Sequence, residues 1–529
     1  MAAVGNVALG ANVSAATGQE ALVRANTGTG SITQTSGSIT GQTVGLLAQN
    51  VGTNTRSINI NADNLVVNGG GSIYVSEADS VNLIADITAA GSTFNQSPLS
   101  AGGDFRVFAN NNLNVNNQVQ GTDVSLIANT GNLAVNQNVT ATGNAVLSAG
   151  GNISGTGTVT APNLGLDAAN IGAAGANLMI DADNLAVDSE ANAFVQDSDD
   201  VTLVNQVTST SFNPGIGGGG GDVVTGNDAT GDFALLAGGN ITVNDTVTGG
   251  DTVLRTTGGN IVINQGVGDA GTVDTVLSAS GTITGSGTVT SQNLGLSGST
   301  IGTSGANPLS IATNNVSVLA TGSAFLSDPN DLTMINQVQA TANNDTVTGN
   351  QVGQQLSVVA GNNLTVADDV RSNSGAGILE FVATNNVSFT NNAGDAADAT
   401  VPPDDGRIIV VAQNGSISQE QGGLLNARTI GLRAGTDIGT SGGGTDNNAI
   451  DLVADRVAVV AGRHANVLDT SANLSTSAGV AGITQNVAGF STGGNLELEV
   501  AAGALDHSSG TITVGGNADV VANNTITLA

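Results

Sequence analysis

Residues 122–142 read TDVSLIANTGNLAVNQNVTAT, and this stretch decides the fold. Val124 and Leu126, then Leu133 and Val135, alternate with small or polar residues, the period-two pattern of strands with one buried face. Asn129-Thr130-Gly131 and Asn136-Gln137-Asn138 are turn-forming residues and supply the corners. The scheme repeats every twenty residues on either side. Leu113, Leu133 and Ile153 keep that step, as do Val119, Val139 and Val159, the asparagines Asn112, Asn132 and Asn152, and further on Ile241 and Ile261. Three short strands and three turns in about twenty residues describe one coil of a parallel β-helix, a solenoid in which each unit stacks on the last. Coils stack at about 4.8 Å, so roughly 24 of them predict a rod about 110–120 Å long. One coil buries too little apolar surface to offset its own ordering, so stability must be shared along the stack.

A longer period overlies the short one. GSITGQTVGLLAQNVG at Gly37 returns as GNISGTGTVTAPNLGLDAANIG at Gly151, as GTITGSGTVTSQNLGLSGSTIG at Gly281 and as GSISQEQGGLLNARTIGLRAGTDIG at Gly415. Gly52, Gly172, Gly302 and Gly439 are therefore equivalent, as are Leu65, Leu185, Val316 and Val457. The expected organisation is one continuous solenoid over 1–529, all β with about 20–22 residues per coil. It carries four superrepeats, approximately 1–150, 151–280, 281–414 and 415–529. The superrepeats carry longer interruptions at one phase, after Val81, Val201 and Leu332. These are expected to project from the solenoid, where binding is often placed. A further acidic, proline-bearing insertion occupies 393–406, and Gly217–Gly221 reads as a loop tip.

Composition narrows the function. Aromatic residues are 2% of the chain and Trp is absent, so aliphatic residues and Ala must fill a narrow core. Net charge is −32 and all ten basic residues are Arg, spread thinly. Nucleic-acid binding needs clustered positive charge and is excluded on that ground. A dilute acidic surface suits a strand-rich rod that must stay soluble. There is no Cys, hence no disulfide or thiolate site. No basic-then-apolar leader is visible at the start, and no run of about eighteen apolar residues would span a membrane as a helix. The first residues, MAAVGNVALG, and the last, GNADVVANNTITLA, already read as coil sequence. The expectation is an internal piece of a longer array, or ends that dock on neighbouring copies.

Coils of the type AGGNI, TGGNI, NTGNLAV and SGTITGSGTVT resemble the repeats of filamentous haemagglutinin-like exoproteins, bacterial surface adhesins exported by two-partner secretion. The resemblance covers nearly the whole chain. It implies a right-handed parallel β-helix, located extracellularly at the bacterial cell surface, that acts in adhesion or as a fibre. The family's secretion domain carries an Asn-Pro-Asn-Leu motif, absent here, and an Asn-Pro-x-Gly-Ile motif. Asn213-Pro214-Gly215-Ile216 lacks the middle residue of the second and lies mid-chain. No functional residue is carried over.

Parallel β-helices also include polysaccharide-acting enzymes, which need carboxylates converging on one groove. The best acidic cluster recurs at one coil: Glu77 and Asp79; Asp197, Asp199 and Asp200; Asp328 and Asp331; Asp469. A catalytic site is made once, so a feature copied four times reads as a coil corner. The alternative is a weak Ca²⁺ site at Asp197, Asp199 and Asp200, since oxygen-only ligands suit that ion. Tandem calcium nonapeptides are missing, and GGGGGD at 217–222 is a single match. The Asn columns read as stacked amides bonding to one another along the solenoid. Thr158–Thr160 and Thr288–Thr290 read as an exposed strand face. His464 and His507 stand too far apart in sequence for a paired zinc motif. The expectation is a non-enzymatic extracellular rod, the stalk segment of a large adhesin, without catalytic residues or cofactor beyond that weak Ca²⁺ alternative. Its partners would be surface carbohydrate or protein on a host or neighbouring cell, or copies of itself end to end. A self-assembling fibre, sheath or biofilm-matrix subunit is the second reading, and a polysaccharide-acting enzyme the third.

Overall fold

The computed structural model describes residues 3–26, 28–89, 91–209, 222–374, 376–394, 406–420, 423–439, 449–508 and 510–528. The chain forms two compact units, Met1–Gly259 and Asn260–Ala529. Among the described residues there is no α-helix, and thus no helix long and apolar enough to cross a membrane.

Unit 1 is a parallel β-solenoid. Phe105–Ala109, Val124–Ala128 and the first half of Asn144–Ser154 pair in register as one ladder. Leu113–Val115 and Leu133–Val135 pair as a second, continued by Ile153. Leu99–Ser100, Val119–Gly121, Val139–Ala141 and Thr158–Thr160 form the third. Residues twenty apart in sequence are direct partners: Leu113 opposes Leu133, which opposes Ile153, and Val119 opposes Val139, which opposes Val159. All six are completely buried. Some strands run on through a corner, as in Asn163–Ile171 and Asn184–Asp197, with the register shifting between Ala168 and Asn170. Unit 2 repeats the plan. Gln355–Ala360, Ile378–Ala383, Arg407–Ala412, Thr429–Ala434 and Arg456–Ala461 stack as one parallel ladder. Leu364–Val366, Val387–Phe389 and Ile417–Gln419 stack as the next.

The four equivalent glycines share one backbone state. Gly52, Gly172, Gly302 and Gly439 have φ of 70°, 62°, 67° and 65°, the left-handed region that a side chain disfavours. Each donates its N–H at 2.9 Å to an isoleucine carbonyl of the preceding coil: Ile32, Ile153, Ile283 and Ile417. The left-handed step turns the chain through a corner while keeping the ladder bonded.

The interruptions differ from expectation in where they go. After Val81, Val201 and Leu332 the chain forms antiparallel hairpins: Asp86–Ala89 with Ser92–Asn95, Gln206–Thr208 with Val223–Thr225, and Gln337–Gln339 with Thr346–Thr348. A fourth, Gly479–Ala481 with Asn486–Ala488, follows Leu474 and was not foreseen. None simply projects. Each lies back across the outer face of the coils that precede it. The second touches Asn144–Ser154, Asn163–Ile171 and Asn184–Asp197; the fourth touches Arg407–Ala412, Thr429–Ala434 and Arg456–Ala461. The reason is apolar burial. Cross-strand pairs Val207/Val224, Val338/Val347 and Val480/Val487 are each nearly fully buried, which a projecting hairpin could not achieve.

Candidate functional site

Each hairpin sits on a glycine. A Cβ on Gly165 would come within 2.9 Å of Val224, one on Gly295 within 3.1 Å of Val347, and one on Gly431 within 3.1 Å of both Val480 and Val487. Gly45 is equivalent, 3.0 Å from Ile87 on the same measure. Glycine within a strand marks the close approach of another backbone. These four lie in the LGL-like segments that recur through the chain, and that was the signal available to find the hairpins' seats.

Polar anchors fix two hairpins further along. In unit 1 one outer-face column runs Tyr74, Arg106, Ser125, Val146, Gly165, Ala186. Val146 and Ala186 pack with Val207 and Val224 of the second hairpin. Asp222, at its loop end, accepts from Arg106 Nε at 3.1 Å and from the Ser125 hydroxyl. In unit 2 the column runs Phe325, Ser357, Glu380, Ile409, Gly431, Ala458. Ile409 and Ala458 pack with Val480 and Val487. Glu380, fully buried, accepts the N–H groups of Ile483 (3.0 Å), Thr484 (2.9 Å) and Gln485 (2.8 Å), together with the Thr484 hydroxyl (2.9 Å) and the Ser357 hydroxyl (2.8 Å). The carboxylate thus belongs to the hairpin in one unit and to the solenoid in the other.

The recurrent acidic cluster resolves into a repeated corner. Glu77, Asp197, Asp328 and Asp469 end their strands facing inward and are about 1% exposed or less. Each accepts the backbone N–H fifteen residues earlier, of Ala62, Ala182, Thr313 and Ala454, at 3.0, 3.0, 2.8 and 3.3 Å. Each also accepts the N–H two residues later, of Asp79, Asp199, Asn330 and Ser471. The carboxylate satisfies two donors that the corner takes out of the ladder. Burial outweighs those bonds: it pushes Glu77 and Asp197 up to about 7, helped by the neighbouring charges of Asp79 and Asp199. Asp328 and Asp469 are raised for the same first reason.

Of the three Ca²⁺ candidates, Asp197 and Asp199 stand side by side, with the Asp199 N–H on Asp197. Asp200 is turned to the next coil, where it accepts from the Asn240 N–H (2.6 Å) and side-chain amide (3.0 Å), bonds that hold its carboxyl below the usual range. Asp331 does the same for Asn363 and Asn362 and is lowered likewise. Among the described residues no group of three or more His, Asp or Glu is gathered so as to hold a metal ion. Another acidic column, Asp167, Asp188 and Asp228, is stacked in register. All three are raised by burial first and by neighbouring carboxylates next.

The Asn columns are of two kinds. In the column foreseen as an amide stack, the side-chain oxygen of Asn112 accepts the backbone N–H of Asn132 (2.9 Å), and Asn132 that of Asn152 (2.8 Å). This bond caps a corner N–H, which a stacked amide would leave unpaired. Asp200 and Asp331 occupy the equivalent place, and so does His464, whose Nδ1 accepts the Asn495 N–H at 2.9 Å. Amide-to-amide ladders occur elsewhere, as in Asn144, Asn163 and Asn184, at 2.8 and 2.9 Å. His507 is buried, with Nδ1 2.6 Å from the Thr476 hydroxyl. Thr158 and Thr160 flank buried Val159 on a half-buried strand face. Asn213-Pro214-Gly215-Ile216, Gly217–Gly221 and nearly all of the 393–406 insertion lie outside the described residues.

No protein-family model matches the chain, and neither a curated protein nor a solved structure matches it.

Proposed function

We propose that the chain is a structural rod outside the cell, the stalk segment of a large bacterial surface adhesin of the filamentous haemagglutinin-like kind. The observation that carries this reading is how the polar side chains are used. At four equivalent corners the same inward carboxylate is spent on the same two backbone donors, and the asparagine column is spent on the next coil's N–H groups. Chemistry invested in the backbone, repeated at every superrepeat, builds a scaffold. The work of such a scaffold is to hold something at a distance, non-enzymatically and without a cofactor. Contacts with carbohydrate or protein on another surface would fall on the exposed turns of the coils.

Electron microscopy of the purified chain tests the reading. Separate unbranched rods of about 110–120 Å are expected. End-to-end filaments would replace the stalk by a self-assembling fibre or biofilm subunit, and compact particles would sink both. Release of reducing ends from an acidic glycan would overturn the non-enzymatic assignment.

A further inference from the structure

In a stack of parallel coils each strand is held by the strands above and below it, so the stack can be dismantled one coil at a time. The fourth hairpin introduces contacts of a different range. It leaves the solenoid after Asn473–Thr476 and crosses Arg456–Ala461, Thr429–Ala434 and Arg407–Ala412. Its tip reaches Glu380, 103 to 105 residues back in the chain. Val480, Val487 and Ile483 pack with Ile378, Val382, Ile409, Val411 and Ala458 along the way. Two arginines tie its edges: Arg407 Nη1 donates to the Ala481 carbonyl at 2.9 Å and Arg433 Nη2 to Gln485 Oε1 at 2.6 Å. The second hairpin is tied in the same manner, Asp222 lying 116 residues from Arg106 and 97 from Ser125.

We infer that these hairpins are mechanical latches, and that the fourth, held by Glu380, makes the coils between Glu380 and Gln485 open as one block under load. A pull on the chain end frees the coils beyond the hairpin singly. It can free the coil that bears the hairpin only by breaking the apolar seat and the Glu380 bonds several coils away at the same moment. Elements that must break together raise the force at which the first gives way. The inference rests on the fold and not on the adhesin reading, because pulling on the purified protein answers it whatever surface the protein serves.

The experiment is single-molecule stretching of the full chain by its ends. The intact protein should release a block of about 35–38 nm of contour length, the extended span of the latched segment at 3.3–3.6 Å per residue. The Glu380→Ala variant should yield at lower force and release that segment in single-coil steps of roughly 7–10 nm. Thr484→Val, which removes one hydroxyl and leaves the backbone donors, should shift the same way by less. Identical step patterns in intact and variant chains would overturn the latch, as would the absence of the block of about 35–38 nm from the intact chain, with coil-sized steps in its place. Should Glu380→Ala fail to fold, hydrogen exchange on the intact protein decides. The amides of Ile378–Ala383, Arg407–Ala412, Thr429–Ala434 and Arg456–Ala461 should open with one common rate, and a gradient of rates along those strands contradicts the proposal.

Discussion

Arg106 and Asp222 meet at 3.1 Å across 116 residues of chain, with only 9% and 12% of their side chains exposed. A buried pair of this kind is weak as a net stabiliser, yet removing one partner leaves a costly charge behind. Asp222→Leu is therefore expected to destabilise unit 1 by about 3–5 kcal/mol. Arg106→Met combined with Asp222→Leu should cost much less than the two single changes together, with a coupling of about 0.5–3 kcal/mol. Urea titration of the four proteins checks this, and additive values would deny the pair its anchoring role.

The hairpin seats have room for a hydrogen and little more. Gly431→Leu should destabilise by about 1–3 kcal/mol, because the added side chain must lift Val480 and Val487 off the sheet. Protease cleavage within Gly479–Ala488 should quicken in the same variant. Unchanged melting and cleavage would mean that the hairpin does not rest there.

A corner glycine is held by conformation as well as by space. Gly302 has φ of 67°, and a Cβ there would stand 2.6 Å from the Phe325 carbonyl oxygen. Gly302→Ala should cost at least about 1–2 kcal/mol from the left-handed backbone alone. Gly5→Ala, with nothing within 4 Å of the added carbon, serves as the neutral control in thermal melts.

The corner carboxylates set the direction of pH dependence. In the folded chain Glu77 and Asp197 titrate at about 7, above their unfolded values of 4.5 and 3.8. The folded state therefore binds more protons than the unfolded state between those limits, and stability falls as pH rises. Their contribution is full below about pH 4 and is lost as pH climbs through 7. Asp328 and Asp469 push the same way, and lowered Asp200 and Asp331 oppose them. The melting temperature should be several degrees higher at pH 5 than at pH 8. Glu77→Gln should narrow that gap, and a melting temperature that rises toward pH 8 would contradict the assignment.

Like charges stacked in register oppose one another. Asp188 lies between Asp167 and Asp228 on adjacent strands, so Asp188→Asn should stabilise unit 1 by about 0.2–1 kcal/mol. Added salt should narrow the difference, since it screens the repulsion. Denaturant melts at low and high ionic strength read both effects.

The coil was legible because stacking converts a sequence interval into a contact. Leu113, Leu133 and Ile153 had to be partners once the step was twenty, and Gly52, Gly172, Gly302 and Gly439 had to share a conformation once they shared a phase. The repeated acidic residues could be assigned to a corner by the same logic. Their inward direction and their particular donors could not, since a period-two pattern does not tell whether a carboxylate at a strand's end faces in or out. For Asn112, Asn132 and Asn152 the column was visible but the donor was not, because a side-chain oxygen can serve either the next amide or the next backbone N–H.

Sequence by itself determined the winding of this chain, since each coil is built from contacts that recur at one short interval and leave a periodic trace. Only the tertiary structure decided that the interruptions lie down on the preceding coils, and that Glu380 grips Thr484 while Arg106 holds Asp222. Those contacts join residues about a hundred positions apart and occur once each, so no period announces them; they exist because the valines of the second and fourth hairpins find a dry surface on the coils already formed.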